Sequence, residues 1–325
     1  MTASLEPLVS VCVSTRNRAR LVIRLIAALE AQTLRDDEFE VVIVDDGSTD
    51  GTFAALTRMA ATTRFRMTPL RNEVSRGPAA GRNLAWRSAR APVIAFTDDD
   101  CIPTPGWLSA GVRGLSCDPV VGVGRVAPDP DQRSAYRGFA QTVWINEPQF
   151  EWLATANVFY HRADLEATGG FDEAFLRLED TELGMRVLAM GRRSKFLADA
   201  LVHHAVRPRT LSDVLRETYR EQFIALLFAR HPELRGHLAY RRVFWKKSHL
   251  QAPLVLVGIC LGLTRRRPIA ALVLCSWWLH DRICLEPPEP RPDGWVARLP
   301  AYLLFDLAEV WTALRGSLRY RTLII

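Results

Sequence analysis

Over the first hundred residues, short apolar runs alternate with segments whose apolar positions recur at helical spacing. Val9 to Val13 reads as a first strand, and Leu21, Val22, Leu25, Ile26 and Leu29 mark one face of a helix that Asn17 can cap. Phe39 to Val44 is a nearly continuous apolar run, broken only by Glu40, which predicts a strand covered on both faces. Phe65 to Leu70 and Val93 to Phe96 predict a third and a fourth strand, and Val120 to Val126 a fifth that leads into a polar turn from Pro128 to Ser134. Strand and helix in alternation define an α/β class, a doubly wound and mostly parallel sheet flanked by helices.

Beyond residue 207 the pattern changes. Leu211 to Arg230 predicts an amphipathic helix, followed by basic residues at Arg241, Arg242, Lys246 and Lys247. Two apolar runs come next, Leu250 to Leu263 and Pro268 to Leu279, separated by Arg265, Arg266 and Arg267. Each run is shorter than the ~20 residues a helix needs to cross a bilayer. A spanning hairpin would also carry three arginines to the far side, against the positive-inside tendency. A hairpin lying in or dipping into the cytoplasmic face of a membrane fits these features, and a pair of helices buried in a soluble or oligomeric core is the alternative. PPEPRPDG at 287–294 has the composition of a linker, and Trp295 to Leu314, interrupted by Arg298, Asp306 and Glu309, fits an interfacial helix. The expected division is an α/β domain over residues 1–207 and a helical, basic and apolar region over 208–325.

Charge sharpens this division. Residues 1–200 carry 23 Lys and Arg against 26 Asp and Glu, a net −3, whereas residues 201–325 carry 19 against 10, a net +9. A basic C-terminal part calls for an acidic partner, and its alternation with apolar segments favours peripheral contact of residues 241–325 with an anionic membrane over nucleic acid. At 325 residues, 48% of them hydrophobic and 24% charged, the chain can bury a full core, which excludes a disordered chain. The six cysteines form no CxxC pair and read as reduced thiols, and MTASLEPLVS carries no secretory signal, so a cytosolic active site is expected.

Four segments concentrate chemistry. FTDDDCIP places Asp98, Asp99 and Asp100 after the fourth strand, where ligands bind in doubly wound sheets. A divalent cation relieves such repulsion, and hard oxygen ligands point to Mg²⁺ or Mn²⁺; Asp98 and Asp100 are the natural pair because alternate residues of an extended segment point the same way. A solvated turn before Pro103 is the bland reading. VVIVDDGSTDGT ends the second strand with Asp45 and Asp46, although Asp50 and Gly47 have a capping and a turn role of their own. RGPAAGRNLAW lets a helix start close to a ligand or a neighbouring strand, with Arg82 able to pair with phosphate. GGFDEAFLRLEDTELGMRVLAMG brings Glu179 and Asp180 to a helix start, as caps or as a general base.

Taken in order, these motifs resemble glycosyltransferase family two, inverting enzymes of GT-A fold, over roughly residues 8–207. VSVCVSTRNR resembles the opening strand and nucleotide-contacting loop, which implies contacts from Ser14 and Arg16. VVIVDDGSTDGT resembles the second nucleotide motif, with Asp46 as the contact and Asp45 beside it; GPAAGRN resembles the helix beside the donor diphosphate, with Arg82. FTDDD looks like the DxD-type metal motif, Asp98 and Asp100, with Asp99 beside the donor. ATANVFYHR and GGFDEAF resemble the acceptor side, and LEDTELGMR resembles the motif of the catalytic base, Asp180 with Glu179. A further metal or diphosphate ligand is implied at His203 or His204, His203 being the position expected here.

The resemblance implies a metal-dependent transfer of a sugar from a nucleotide diphosphate donor, with uridine as the expected base, to an acceptor hydroxyl, on a lipid-linked or cell-envelope glycan at the cytoplasmic membrane face. A sugar-phosphate nucleotidyltransferase would share the sheet and the acidic site, but it normally carries a Gly-rich, lysine-bearing first loop; here that loop is STRNRAR. A non-catalytic membrane-associated scaffold is the other alternative, against which the complete acidic set argues. A dinucleotide oxidoreductase is excluded by the lack of G-x-G-x-x-G after the first strand.

Overall fold

The apolar runs of the N-terminal half become the middle of one sheet in a computed structural model, which describes residues 6–116, 119–135, 139–147, 153–264, 267–285 and 295–325. Cys117, Arg265, Arg266 and the 287–294 segment lie outside the described residues. The chain divides into two units, Met1–Arg133 with Thr142–Val206, and Ser134–Gln141 with Arg207–Ile325.

The first unit holds eight strands: β1 (Val9–Thr15), β2 (Phe39–Asp46), β3 (Arg66–Asn72), β4 (Val93–Thr97), β5 (Cys101–Pro103), β6 (Val120–Pro128), β7 (Asn157–His161) and β8 (Arg193–His204). Their order is β3-β2-β1-β4-β7-β6-β8-β5. Strands β3, β2, β1 and β4 are mutually parallel, and all residues of β2 are buried, as its nearly continuous apolar run requires. The other half is mixed: β7 pairs antiparallel with both β4 and β6, and β5 antiparallel with β8, while β6 and β8 are parallel. Strand order reverses at β1 and β4, which opens a crevice beyond their carboxyl ends.

Helices α1 (Ala19–Glu30), α2 (Thr52–Ala60), α3 (Pro78–Ser88), α4 (Trp107–Leu115), α5 (Arg162–Thr168) and α6 (Glu179–Ala189) complete this unit. The apolar face of α1 buries Val22, Leu25, Ile26 and Leu29, as its spacing predicts. Asn17 does not cap it. Asn17 adopts a left-handed conformation, φ 53°, which asparagine tolerates better than most residues, and ties two loops together. Its backbone N–H donates to Ser48 Oγ at 2.8 Å and its Oδ1 accepts from Thr49 N at 2.8 Å. Gly47, at φ 70°, makes the tight turn after β2; a Cβ there would meet the Ser75 nitrogen at 2.7 Å.

The second unit is helical. The segment expected as one amphipathic helix is α7 (Leu211–Glu217) and α8 (Gln222–Arg230), joined by a 3₁₀ turn at Thr218–Glu221. Thr210 and Asp213 close a capping box at its start. A short α9 (Arg235–Leu238) precedes α10 (Lys247–Thr264), α11 (Pro268–His280) and α12 (Leu299–Tyr320). Small residues let α10 and α11 pack as an antiparallel hairpin: a Cβ on Gly258 would meet Leu274 Cβ at 3.0 Å, and one on Gly262 would meet Ala271 Cβ at 3.1 Å. The base of the hairpin is polar. Glu309 of α12 accepts from Lys246 at 2.7 Å, Asp306 accepts from the Trp278 indole at 2.8 Å, and Lys247 pairs with Asp281. Among the described residues one helix, Lys247–Thr264, is long and apolar enough to cross a membrane by length and composition.

Candidate active site

Three loops meet at the carboxyl ends of β1, β2 and β4. The aspartates after β4 stand in one line of sequence, but the structure separates them into two charge clusters, each with its own arginine. Asp99 and Asp100 share Arg18: its Nη1 donates to Asp99 Oδ1 at 2.6 Å and to Asp100 Oδ2 at 3.1 Å. Thr15, the last residue of β1, adds a hydrogen bond to Asp99 Oδ2 at 2.6 Å. Burial still dominates and pushes the Asp99 carboxyl up to about 6, with Arg18 opposing and Asp100 adding.

Asp98 belongs to the other cluster. Arg82 of α3 donates through Nη2 to Asp98 Oδ1 at 2.9 Å and through Nη1 to Glu179 Oε1 at 2.6 Å. Its guanidinium is nearly buried; burial works against its charge, but Asp98, Glu179 and Asp180 outweigh that and hold it charged. Glu179 is raised, by burial first, with Arg82 opposing. Both donor edges of Arg82 thus face carboxylates, rather than standing free for phosphate. Its neighbour Asn83 fixes the following segment from the same helix, donating to Phe171 O at 2.8 Å and accepting from Phe171 N at 2.9 Å.

Helix α6 begins at Glu179 after Leu178, which holds a left-handed φ of 67°. Its first turn carries Glu179, Asp180 and Glu182, a placement the helix dipole favours. Asp180 is partly exposed, and accepts from Thr155 N at 3.3 Å and from its neighbour Thr181 N at 2.7 Å.

The two aspartates ending β2 differ sharply. Asp46 accepts from the Asn72 amide at 2.8 Å, the Ser75 hydroxyl at 2.7 Å, Arg76 N at 3.0 Å and Gly77 N at 2.9 Å. Burial opposes its charge, and these donors more than compensate, so its carboxyl lies below the ordinary range. Asp45 is fully buried; its Oδ2 accepts from Ser48 N at 3.3 Å and lies 3.6 Å from Arg71 Nε, while Oδ1 has no hydrogen-bond partner. The two carboxylates thus differ in partners: Asp46 is braced by four donors of the loop that follows it, and Asp45 keeps a buried oxygen without a hydrogen-bond partner.

Of the histidines ending β8, His204 faces the aspartates. Its Nε2 is 3.4 Å from Asp100 Oδ1, whereas His203, the position expected from sequence, lies outside that cluster. His204 Nδ1 donates to Ala205 O at 2.8 Å, so it is Nε2 that faces a carboxylate oxygen without a hydrogen-bond partner. Two acceptors so placed call for a cation or a proton between them. Asp100, Cys101 and His204 offer ligand atoms within 4.8 Å of one another. Burial keeps the Cys101 thiol well above its ordinary value, so the donor set is one carboxylate and one imidazole, which fits Mn²⁺ or Mg²⁺.

Ser14 and Arg16, the other expected contacts, take different positions. Ser14 lies beneath α3, where a Cβ on Gly81 would come within 2.1 Å of its Oγ, and Arg16 is exposed. Arg18 and Thr15 are not singled out by the sequence; the signal for Arg18 is only the second of three arginines in STRNRAR.

This fold and this set of carboxylates at the switch of strand order define a nucleotide-binding α/β domain of GT-A type. The chain belongs to glycosyl transferase family 2, whose model matches residues 10–196. It is 27% identical over 245 residues to a pre-mycofactocin glycosyltransferase of Mycobacterium tuberculosis, covering 69% of this chain and 48% of that one, so it spans about half the length of that relative. Among solved structures it is similar to the mannosyltransferase PcManGT of Pyrobaculum calidifontis in complex with GDP-Man and Mn²⁺, at TM-score 0.56 and 24% identity over 98% of this chain and 86% of the other. It is similar too to S. aureus TarS 1–349 in complex with UDP-GlcNAc, at TM-score 0.52 and 17% identity over 96% of this chain and 91% of the other.

Proposed function

We propose that the chain is a metal-dependent inverting glycosyltransferase that moves a sugar from a nucleotide diphosphate donor, UDP-linked in the first instance, to an acceptor hydroxyl. The observation that carries this is His204 Nε2 turned toward an unpartnered Asp100 oxygen at 3.4 Å, at the switch of the sheet. Asp45, buried and with an Oδ1 that has no hydrogen-bond partner, would accept from a base N–H beside Asp46, and Arg18 orients Asp100 through the oxygen that His204 does not face. Asp100 and His204 would hold the ion, and the ion would offset charge on the departing diphosphate. Asp98 is held by Arg82 and stands one step away from this pair.

Asp180 takes the proton of the acceptor hydroxyl as the new C–O bond forms at the anomeric carbon. The bond to the diphosphate oxygen breaks on the opposite face, and the nucleoside diphosphate leaves with the electron pair. No covalent sugar intermediate is needed. Glu179 stays committed to Arg82. The acceptor is a lipid-linked or cell-envelope glycan, reached from the cytoplasmic membrane face with residues 241–325 as the peripheral contact.

A panel of nucleotide sugars, screened with Mn²⁺ for a rise in melting temperature and then for nucleoside diphosphate release, tests the reading. Asp180→Asn should lower turnover roughly 10²–10⁴-fold, the usual range for loss of a general base, while leaving donor affinity within about twofold. Release of pyrophosphate instead of nucleoside diphosphate would overturn the assignment.

A further inference from the structure

The hairpin of α10 and α11 has a gradient along its length. At its base Ser248, His249, Gln251 and Ala252 are buried and an ion-pair network locks α10 and α11 to α12. Toward its tip the side chains stay apolar but lose their cover. Leu256 and Val257 are 48% exposed and Leu263 80% on α10, and Ile269, Leu272 and Val273 are 77%, 70% and 61% exposed on α11.

These side chains do not form one patch. On α10 the exposed positions lie about half a turn from Gly258 and Gly262, which pack on α11, and on α11 they lie opposite Ala271 and Leu274, which pack on α10. Each helix therefore turns an apolar face away from the other. A single protein partner docks on one side of such a hairpin; an apolar fluid surrounds both. No charged residue interrupts 250–264 or 268–279, and cations stand at both ends, with Arg241 and Arg242 exposed before the base and Arg267 exposed at the tip. α10 is 18 residues, about 27 Å at 1.5 Å each, nearly enough for a hydrocarbon core about 30 Å thick, but a spanning hairpin would carry Arg267 to the far side, against the positive-inside tendency. With that crossing disfavoured, cations at both ends place both ends in the headgroup layer of one leaflet.

We propose that the α10–α11 hairpin is an insertion element for an anionic phospholipid bilayer, lying in one leaflet with its outward faces among the acyl chains and Arg241, Arg242 and Arg267 on lipid phosphates. This rests on the reading of residues 241–325 as the membrane contact and narrows it to one element.

The native Cys260, exposed near the tip, is the probe. With Cys117, Cys275 and Cys284 replaced by serine, it is labelled with an environment-sensitive fluorophore in the full chain, and phosphatidylcholine vesicles with and without phosphatidylglycerol are added. The expected result is a blue shift and a severalfold gain in intensity with anionic vesicles only. Leu263→Asp combined with Ile269→Asp should weaken vesicle binding at least tenfold with an unchanged melting temperature, since both side chains are already in water in the free protein. If the unlabelled chain does not sediment with anionic vesicles, both the membrane reading and the hairpin are wrong. If it sediments while the label stays water-like and the double variant binds equally, the hairpin is wrong and the membrane reading stands. A blue shift that needs no vesicles and grows with protein concentration overturns the proposal in favour of a second copy of the chain.

Discussion

His204 turns one ring nitrogen toward a carboxylate and the other toward a backbone carbonyl: Nε2 stands 3.4 Å from Asp100 Oδ1 while Nδ1 donates to the Ala205 carbonyl at 2.8 Å. The backbone carbonyl fixes the tautomer, as such outer partners do for metal-binding histidines. Mn²⁺ at a hundred times its dissociation constant should then stabilise the protein by about 2.7 kcal/mol. His204→Ala should abolish the rise in melting temperature and His203→Ala should retain it. Equal loss in the two variants, measured by a metal titration in a thermal scan, would move the ion elsewhere.

The pair ending β2 makes a second test. Asp45→Ala removes an open acceptor and should weaken nucleotide binding tenfold or more. Asp46→Ala removes a brace with four donors and should instead cost stability, about 2 kcal/mol or more. Calorimetric titration with nucleoside diphosphate, beside urea unfolding of each variant, separates the effects. A nucleotide-binding loss confined to Asp46→Ala with intact stability would support the order expected from sequence.

Asp46 also gives stability a pH dependence of known sign. Its folded-state carboxyl lies below the unfolded value near 4, so the stabilisation is complete above that value and is lost as pH falls through the folded value. The stability gap between the parent chain and Asp46→Asn should be widest at pH 7 and narrow as pH drops below about 4. Unfolding curves at several acidic pH values check this; a gap that widens toward acid contradicts it.

Arg82 is the sole cation contacting both Asp98 and Glu179 among the described residues, at 2.9 Å and 2.6 Å. Arg82→Gln strands buried Glu179 without a partner, which typically costs about 3–5 kcal/mol. Arg82→Lys keeps the charge but cannot present two planar donor edges, so it should recover only part of that loss. Urea midpoints report the first effect. Donor hydrolysis rates report whether Asp180, on the same helix turn, keeps its position.

Much of this was legible in the sequence. Strands β1, β2 and β4 followed from apolar runs interrupted only by Ser10 and Glu40, which are buried and bonded to each other at 2.7 Å, and the carboxylates fell at the ends of β2 and β4. The mixed half of the sheet was harder: β5 is three residues long, and β7 and β8 carry weak patterns set by partners distant in sequence. How each member of a doublet is partnered was not readable either. Asp45 and Asp46 differ only in where Asn72, Ser75 and the Arg76 backbone arrive, and His203 and His204 only in strand register against β5. The argument from repulsion among three aspartates was incomplete for the same reason. Two arginines, one from the loop after β1 and one from α3, supply countercharge that no local window contains.

The meeting of Gly81 and Ser14 leaves α3 and β1 in contact with no adjustable side chain between them. Even the smallest replacement at 81 would collide with both Oγ and Cβ of Ser14, at 2.1 Å and 2.8 Å. The wall that carries Arg82 is therefore seated directly on β1, and a side chain introduced at 81 would shift that guanidinium away from Asp98 and Glu179.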